Sequence, residues 1–244
     1  DIDIAIDLNG YIEGCRPSIF KARVAPVQVN YYGYPGTMGA DFIDYIIGDP
    51  SLIPESLRDQ YQEKIIYLPD CYQPNDDKRQ ISPRIPERKE QGLPTDGFVY
   101  CSFNKPYKIT PAVFSCWMSI LRQTDNGALW LQSVDPIATV DLDREAVKAN
   151  VDRSRIIFAG RTPSTEDHLA RYQLADLFLD TYPYTAHTTA NDALWAGLPV
   201  LGLSGRTFSA RVSTSLLTAL GLPDLVMPNL DCYVEKAVAL AKRP

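Results

Sequence analysis

The sequence predicts an α/β protein with parallel sheets, and two features of its 244 residues lead to that prediction. Short apolar runs, many rich in isoleucine, valine and tyrosine, alternate along the chain with longer amphipathic segments. Such alternation of strands and helices is typical of parallel sheets covered by helices on both faces. Apolar residues make up 45% of the chain, which is enough to form the buried core of this architecture.

The predicted elements are short strands and helices of ordinary length. The strands are residues 2–7, 27–32, 45–48, 64–68, 98–103, 128–131, 156–159, 177–179 and 198–201. Each predicted helix carries its apolar residues on one face, and Pro111 after Thr110 is a typical helix start. The helices are residues 17–23, 54–60, 111–123, 142–150, 164–174, 188–196, 208–220 and 230–242.

One stretch, residues 69–96, interrupts the alternation because it is rich in proline and contains a charged run at 76–79. We interpret this stretch as a linker between two domains. Residues 1–74 are too few for a complete doubly wound domain, whereas residues 75–244 are enough for one. The chain begins inside a predicted strand and without methionine, so we expect a fragment of a larger catalytic region.

Composition excludes several classes of function. The net charge of −6 argues against a general nucleic-acid binder, and no apolar run approaches the ~20 residues that span a bilayer. The five scattered cysteines contain no Cys-x-x-Cys pair, which argues against a zinc site and a disulfide framework. Two Asp-x-Asp pairs, at 1–3 and 141–143, are interpreted as strand and helix-cap residues rather than metal ligands. We therefore expect a cytoplasmic protein that uses no metal and binds neither nucleic acid nor membranes.

The segment 179–200 carries the strongest functional signal, because it predicts a strand end, a loop and a helix that begins at Thr188. The first turn of a helix has unpaired N–H groups at the positive end of its dipole, so it is a natural phosphate site. The hydroxyls of Thr188 and Thr189 and the imidazole of His187 add donors there. Asp192 follows one turn later, where a carboxylate can accept from a ribose hydroxyl. These residues predict a site for a nucleoside diphosphate.

Three further features each have a functional and a structural interpretation. The loop at 33–39, GYPGTMG, follows a predicted strand, where glycine lets the backbone approach a ligand, although an ordinary tight turn fits equally well. Lys108 follows another strand, where an ammonium can neutralise a leaving phosphate, although a solvated loop lysine is simpler. His168 could stack on a base with Arg171 one turn further on, although a surface histidine is simpler.

In combination, these motifs resemble the O-GlcNAc transferase family, with the character of its bacterial SPINDLY-like homologues. Residues 103–110, 156–180 and 179–200 resemble its carboxyl-terminal lobe, and residues 8–11, 16–20, 26–29 and 33–36 resemble the end of its amino-terminal lobe. The resemblance implies a two-lobed GT-B glycosyltransferase that holds its nucleotide sugar in the cleft. Residues 1–74 would be the carboxyl-terminal portion of an incomplete amino-terminal lobe, and residues 75–244 the nucleotide-sugar-binding lobe.

The resemblance also implies a reaction and a set of residue roles. Such enzymes transfer N-acetylglucosamine from UDP-GlcNAc to Ser or Thr hydroxyls of proteins, with inversion and without a metal or cofactor. The residues that correspond to catalytic groups are Lys108, at the diphosphate, and His187, at the phosphates. The residues that correspond to donor-binding groups are Thr188, Thr189, Asp192, His168, Arg171, Lys105, Gly33 and Pro35.

Some residues depart from the family pattern. Lys105 stands where the animal enzyme has glutamine, Thr165 where it has lysine, and Pro163 where it has alanine. Base preference is therefore open, since proline has no N–H to offer a base. The plant SPINDLY branch, which uses a GDP sugar, has Gly-Thr-Thr-Thr where this chain has His187 and its two threonines, which favours UDP here.

The expected partners are a UDP sugar and a protein or peptide acceptor, and a homo-oligomer is a further expectation. The resemblance implies a parent protein with tetratricopeptide repeats and with its acceptor-side catalytic groups upstream, so we expect the 244 residues alone to be inactive. Two alternatives stay open at this point. One is a nucleotide-binding module without activity, and the other is a GT-B transferase that uses another nucleotide sugar, such as GDP-fucose or a TDP sugar.

Overall fold

The computed structural model describes residues 2–133 and 136–242. It is an α/β fold with two parallel sheets, which confirms the predicted class. The chain divides into two compact units. The first contains the residues up to Asn75 and the segment Gly205–Leu222, and the second contains Asp76–Ser204 and the residues from Pro223 onward. The sequence predicts one boundary, after residue 74. It does not predict that the segment Gly205–Leu222 returns to the first unit.

Every predicted strand is present, with small differences at the ends. The strands are β1 (Ile4–Asp7), β2 (Val27–Asn30), β3 (Tyr45–Gly48), β4 (Lys64–Tyr67), β5 (Val99–Ser102), β6 (Ala128–Gln132), β7 (Ile156–Ala159), β8 (Leu177–Leu179), β9 (Val200–Leu203) and β10 (Val226–Met227). The α-helices are α1 (Ser18–Lys21), α2 (Pro111–Arg122), α3 (Pro136–Lys148), α4 (Thr165–Arg171), α5 (Thr188–Trp195), α6 (Val212–Ala219) and α7 (Leu230–Ala241). Short 3-10 helices cover Glu55–Gln60, Arg88–Gln91, Pro106–Lys108, Arg153–Arg155, Tyr172–Leu174, Phe208–Ala210 and Pro223–Leu225.

The first unit is built on a sheet in which β1, β2, β3 and β4 lie side by side in chain order. A buried carboxylate attaches the returning segment to this unit. Asp49 follows β3, and its Oδ2 accepts from the Ser215 hydroxyl on α6 and from the backbone N–H of Tyr72 at 2.9 Å. The ring of Tyr72 also meets the edge of the Phe208 ring, with centroids 5.1 Å apart. Hydrogen bonds and aromatic packing therefore hold the segment Gly205–Leu222 against residues 49 and 72, which are far from it in the sequence.

The second unit is built on a six-stranded parallel sheet with the order β10-β9-β8-β5-β6-β7. Its core lies between this sheet and the helices α2 and α7. Thr110 caps α2 by accepting from the N–H of Val113, and Pro111 occupies the first turn, as the sequence predicts. The buried Trp117 Nε1 donates to the Tyr233 hydroxyl on α7 at 3.2 Å, so the two helices are joined by a satisfied polar contact inside the core.

Several predicted helices differ from the structure. The helix predicted over 54–60 is 3-10 in form, and the one predicted over 142–150 begins earlier, at Pro136. Asp141 and Asp143 therefore lie inside α3 rather than at its start, where they pair with Arg144 and Arg153. Asp1, in the other Asp-x-Asp pair, lies outside the described residues.

Two further differences lie near the carboxyl end of the chain. The helix predicted over 208–220 is interrupted at Arg211, whose guanidinium bonds the backbone oxygens of Ser51 and Gly205. The strand β10 is only two residues long, and it pairs with β9. A run this short carries no periodic pattern that sequence analysis can detect.

Much of the proline-rich stretch at 69–96 is hydrogen-bonded to the second unit. The interpretation of this stretch as a linker did not predict such attachment. The N–H of Ser82 donates to the backbone oxygen of Glu166 on α4 at 3.1 Å. Arg88 donates to the backbone oxygens of Leu174 and Gly97 and to Asp176 Oδ2, at 2.8–3.0 Å. Residues 76–91 therefore pack along the edge of the site that is described next.

Candidate functional site

The candidate site lies in the second unit, at the carboxyl ends of β5 and β8. From β5 the chain adds β6 and β7 on one side, and it then returns to place β8 on the other side. Ligands of open parallel sheets bind in the crevice where the strand order reverses in this way. Residues 103–108 follow β5 and residues 180–189 follow β8, so the predicted site residues within these two ranges lie at the reversal.

Lys108 lies at the end of the short helix after β5, and its side chain is directed inward. Its Nζ donates to the backbone oxygen of Thr185 at 2.9 Å and lies 3.8 Å from the centroid of the Tyr184 ring. Burial lowers the pKa of Lys108 to about 8; the carboxylate of Asp180 opposes this shift and the charge of Lys105 adds to it. The amine therefore stays charged at neutral pH and faces the loop that leads into α5, while Lys105 itself is exposed.

A buried polar network fixes the first turn of α5. Asn104 donates through Nδ2 to Asp180 Oδ1 at 3.3 Å and to the Thr181 hydroxyl at 2.9 Å, and its Oδ1 accepts from the Thr189 hydroxyl. Asp180 Oδ1 also accepts from the backbone N–H of Thr181 and of Ala186. The network ties the ends of β5 and β8 to α5, and it directs the hydroxyl hydrogen of Thr189 into the protein.

The start of α5 presents backbone donors. His187 precedes the first turn, its side chain does not cap the helix, and its ring lies 5.1 Å from the Tyr184 ring. Thr188 is exposed and Thr189 half-buried. The N–H groups of this turn have no partner within the helix and lie at the positive end of its dipole. Helix starts of this kind favour anions, and a phosphate site at this turn stays a prediction.

Asp192 lies one turn further along α5, beside Arg79 and His168. Its Oδ1 forms an ion pair with Arg79, and its Oδ2 lies 3.9 Å from His168 Nε2. Asp192 and Arg79 are each only 18% exposed in their side chains. Burial raises the pKa of Asp192, and the hydrogen bond and charge of Arg79 act in the opposite direction. The predicted ribose-binding carboxylate thus has a cationic partner that the sequence analysis did not identify.

His168 packs against two aromatic side chains, Phe103 and Tyr172, rather than lying on an open surface. Its ring centroid is 6.0 Å from that of Phe103 and 5.1 Å from that of Tyr172. Burial, together with the charges of Arg171 and Arg79, lowers the pKa of His168 to about 4. The imidazole is therefore neutral at pH 7 and can present a flat, uncharged ring to a ligand.

Arg171 packs against the Phe103 ring, which also contacts His168. It is only 2% exposed, its Nη1 donates to the backbone oxygen of Gly160 at 2.7 Å, and its Cζ lies 4.3 Å from the centroid of the Phe103 ring. These contacts describe a side chain that supports the end of β7 and the ring below His168. A direct contact of Arg171 with a ligand stays a prediction.

Gly33 and Pro35 belong to the first unit, so the structure describes them apart from the other predicted site residues. Only glycine fits at 33, because a Cβ there would lie 2.1 Å from the backbone oxygen of Leu8. The buried Glu63 holds the following residues, accepting from the Thr37 hydroxyl and from the N–H of Met38. A distant carboxylate therefore fixes this loop, and a role of Gly33 and Pro35 at a ligand stays a prediction.

Comparison with known proteins decides the family. The profile of glycosyl transferase family 41 matches residues 1–89 and 76–243. The chain belongs to this family. Among its relatives, the probable UDP-N-acetylglucosamine–peptide N-acetylglucosaminyltransferase SEC of Arabidopsis thaliana is 39% identical over 98% of this chain and 25% of that protein. The corresponding SPINDLY protein of Petunia hybrida is 33% identical over 98% of this chain and 26% of that protein.

Solved structures agree with membership of family 41. An O-GlcNAc transferase mutant from Thermobaculum terrenum matches with a TM-score of 0.87 and 32% identity, over 99% of this chain and 45% of that chain. A sucrose-phosphate synthase from Thermosynechococcus elongatus matches with a TM-score of 0.56 and 14% identity, and this similarity concerns the fold alone. The fold is therefore that of a GT-B glycosyltransferase. The chain spans about a quarter of the length of the curated relatives named above.

Residues 2–133 and 136–242 contain no group of three or more His, Cys, Asp or Glu side chains arranged to hold a metal ion. Within the same residues, no helix has both the length and the apolar composition to cross a bilayer.

Five residues that shape the candidate sites were not predicted from the sequence. Asn104 and Asp180 carried a usable signal, because each follows a buried strand and the two strands are neighbours in the sheet. Tyr184 lies in the segment that the motif covers. Arg79 and Glu63 carried no such signal, because each acts on a motif far from it in the sequence.

Proposed function

We propose that this chain supplies the donor-binding part of a protein O-linked N-acetylglucosaminyltransferase that uses UDP-GlcNAc. The main support for this proposal is that the Lys108 amine, the first turn of α5 and the Asp192–His168 pair lie together at one strand reversal. An ammonium and a helix amino terminus suit a diphosphate, whereas a carboxylate beside a neutral ring suits a nucleoside. The activity in the name of the SEC relative supports this choice of donor and of a peptide acceptor.

The reaction is an inverting displacement at the sugar C1. The acceptor hydroxyl oxygen forms a bond to C1 while the bond between C1 and the diphosphate oxygen breaks, and the electron pair of that bond leaves with UDP. The proton of the hydroxyl passes to a base that we do not assign to this chain. The residues of this chain act on the leaving group, where negative charge develops.

Lys108 is the group that faces this developing charge. Its ammonium is held by Thr185 and by the face of the Tyr184 ring, so it is oriented before the donor arrives. Donors oriented in advance and aimed at developing charge each contribute on the order of 10²–10³ in rate. The backbone N–H groups of Thr188 and Thr189 bind phosphate oxygens, and His187 adds a donor beside them.

The nucleoside lies against the other half of the site. His168 stacks on the base with its neutral ring, and Asp192 accepts from a ribose hydroxyl through Oδ2. Arg171 supports the Phe103 ring that lies under His168. Exposed Lys105 adds positive charge near the diphosphate. For Gly33 and Pro35, which belong to the first unit, the proposed role is contact with the donor sugar.

We extend the proposal to the whole protein. The second unit is the nucleotide-sugar lobe and the first unit is part of the amino-terminal lobe, with Gly205–Leu222 as the segment that returns to it. The parent protein carries tetratricopeptide repeats, acts in the cytoplasm and forms a homo-oligomer. No metal takes part in the displacement, since cationic and backbone donors supply the charge stabilisation.

The test combines binding with transfer. Calorimetric titration of the protein with UDP, GDP and TDP is expected to give the tightest binding with UDP. A preference for GDP would replace the donor with a GDP sugar. The full-length protein is expected to transfer N-acetylglucosamine from UDP-GlcNAc to acceptor peptides. UDP binding without transfer to any peptide or protein acceptor would favour a nucleotide-binding module.

A further inference from the structure

The geometry points to Arg79 as a positioning residue of the nucleoside site, which turns the Asp192 carboxylate so that Oδ2 meets the ribose hydroxyls. This inference rests on the proposed function, because it assigns ribose to Asp192. It adds a residue from the proline-rich stretch at 69–96 to a site otherwise formed by β5, β8, α4 and α5.

The two oxygens of the Asp192 carboxylate face different neighbours. Arg79 Nη2 lies 2.5 Å from Asp192 Oδ1, whereas the nearest atom of His168, Nε2, lies 3.9 Å from Oδ2. A separation of 3.9 Å is beyond hydrogen-bond distance. One oxygen is therefore fixed by the guanidinium, and the other faces the space beside the imidazole, where a stacked nucleoside would place its ribose.

Arg79 also sets the charge balance around Asp192. The carboxylate is largely buried, and burial favours its protonated form. The groups that face it from the packed elements are Arg79, His168 and the Tyr172 hydroxyl. Tyr172 and His168 are uncharged at neutral pH, since burial raises the pKa of the first and lowers that of the second. Arg79 is thus the cation among them that keeps Asp192 an acceptor.

Arg79 lies on a segment that hydrogen bonds hold in place. Three residues further on, the N–H of Ser82 donates to the backbone oxygen of Glu166 in the first turn of α4. Further along, Arg88 attaches the same segment to Asp176 and to two backbone oxygens. A guanidinium held in this way is oriented before the ligand binds, which is the property that a positioning residue needs.

The experiment measures recognition of ribose rather than affinity alone. Calorimetric titrations compare UDP with its 2′-deoxy and 3′-deoxy analogues in the wild-type protein and in Arg79→Ala and Arg79→Lys variants. The wild type is expected to prefer UDP over one or both analogues by about 10-fold or more, the range of a hydrogen bond to a charged group. The preference is expected to fall to within about 3-fold in Arg79→Ala and to be partly kept in Arg79→Lys.

A matched control is Arg84→Ala in the same segment. Arg84 is 80% exposed and pairs with Glu90, so its loss is expected to leave both affinity and preference unchanged. A second measurement is the pH profile of UDP affinity. Without Arg79, the pKa of Asp192 rises, so UDP affinity is expected to start falling at a higher pH in Arg79→Ala as the solution is acidified.

The outcomes separate the two claims. If the protein binds no UDP, the proposed function and this inference both fail. If Arg79→Ala keeps the wild-type preference for ribose, or binds UDP more tightly, the positioning role is wrong while the proposed function stands. If Arg79→Ala does not fold, Arg79→Lys decides, because a preference identical to that of the wild type, with an unshifted pH profile, would overturn the role.

Discussion

Lys108 Nζ donates to the backbone oxygen of Thr185 at 2.9 Å, in the loop that leads into α5. This single contact joins the ends of two neighbouring strands, because Lys108 follows β5 and Thr185 follows β8. It places a charged amine close to a helix amino terminus without burying that amine in an ion pair. Both features favour a negatively charged ligand, and the predictions below test what this arrangement does.

Replacing Lys108 with methionine is expected to lower turnover of the full-length protein on the order of 10²–10³, because the leaving diphosphate loses its facing charge. The change keeps the length of the side chain and removes a partly desolvated amine, so the fold is expected to persist. Steady-state kinetics with UDP-GlcNAc measures the effect. Lys148→Met is the matched control, since Lys148 is 62% exposed on α3 and pairs with Glu145. Equal turnover in Lys108→Met and wild type would remove the proposed role.

The pH dependence of kcat/KM is expected to show an alkaline limb near pH 8. Burial lowers the pKa of Lys108 to about 8, so its charge is present below that pH and is lost above it. This ratio reports the free enzyme, whereas kcat reports the complex, in which the bound diphosphate raises the pKa of Lys108. The limb is therefore expected at higher pH in kcat than in kcat/KM. A Lys108→Arg variant that keeps the limb near pH 8 would assign it to another group.

Introducing a carboxylate at residue 188 is expected to weaken anion binding without destabilising helix α5. Thr188→Glu places a negative charge in the first turn of α5, where it interacts favourably with the helix dipole. The same charge repels a diphosphate, so UDP affinity is expected to fall at least about 10-fold. Affinity for uridine is expected to stay close to wild type. Thr188→Gln, which has nearly the same shape without the charge, is the control, and equal UDP affinity in the two variants would contradict a phosphate site at this turn.

Removing the Arg88 guanidinium is expected to destabilise the second unit by about 2–4 kcal/mol, because Asp176 and two backbone oxygens lose a partly buried charged partner. Urea denaturation of Arg88→Ala measures the change in free energy of unfolding. Arg84→Ala removes a neighbouring but exposed arginine, and it is expected to change stability by less than about 0.5 kcal/mol. Similar losses in the two variants would show that the attachment at Arg88 is not specific.

The sequence predicts the part of the site that depends on local pattern. The start of α5 is recognisable because polar and histidine residues follow a short apolar strand, and the amide donors at that start are a property of any helix. Strands such as β3, β7 and β8 are predicted with their exact bounds, because each is a compact apolar run between polar residues.

The rest depends on tertiary contacts that leave no local pattern. Arg79 and Asp192 are 113 positions apart, and in the sequence Arg79 is one charge in a charged run. The return of α6 to the first unit depends on Asp49 and Ser215, which pair across 166 positions. Neither relationship changes the periodicity of the segments that form it, so sequence analysis alone could not identify them.

The most direct test of the central claim is a crystal structure of the protein with UDP. Diphosphate oxygens are expected within hydrogen-bond distance of the backbone N–H groups of Thr188 and Thr189, with Lys108 Nζ facing them and the uracil on His168. A diphosphate bound elsewhere in the second unit, with Lys108 still closed on Thr185 and remote from the ligand, would contradict it.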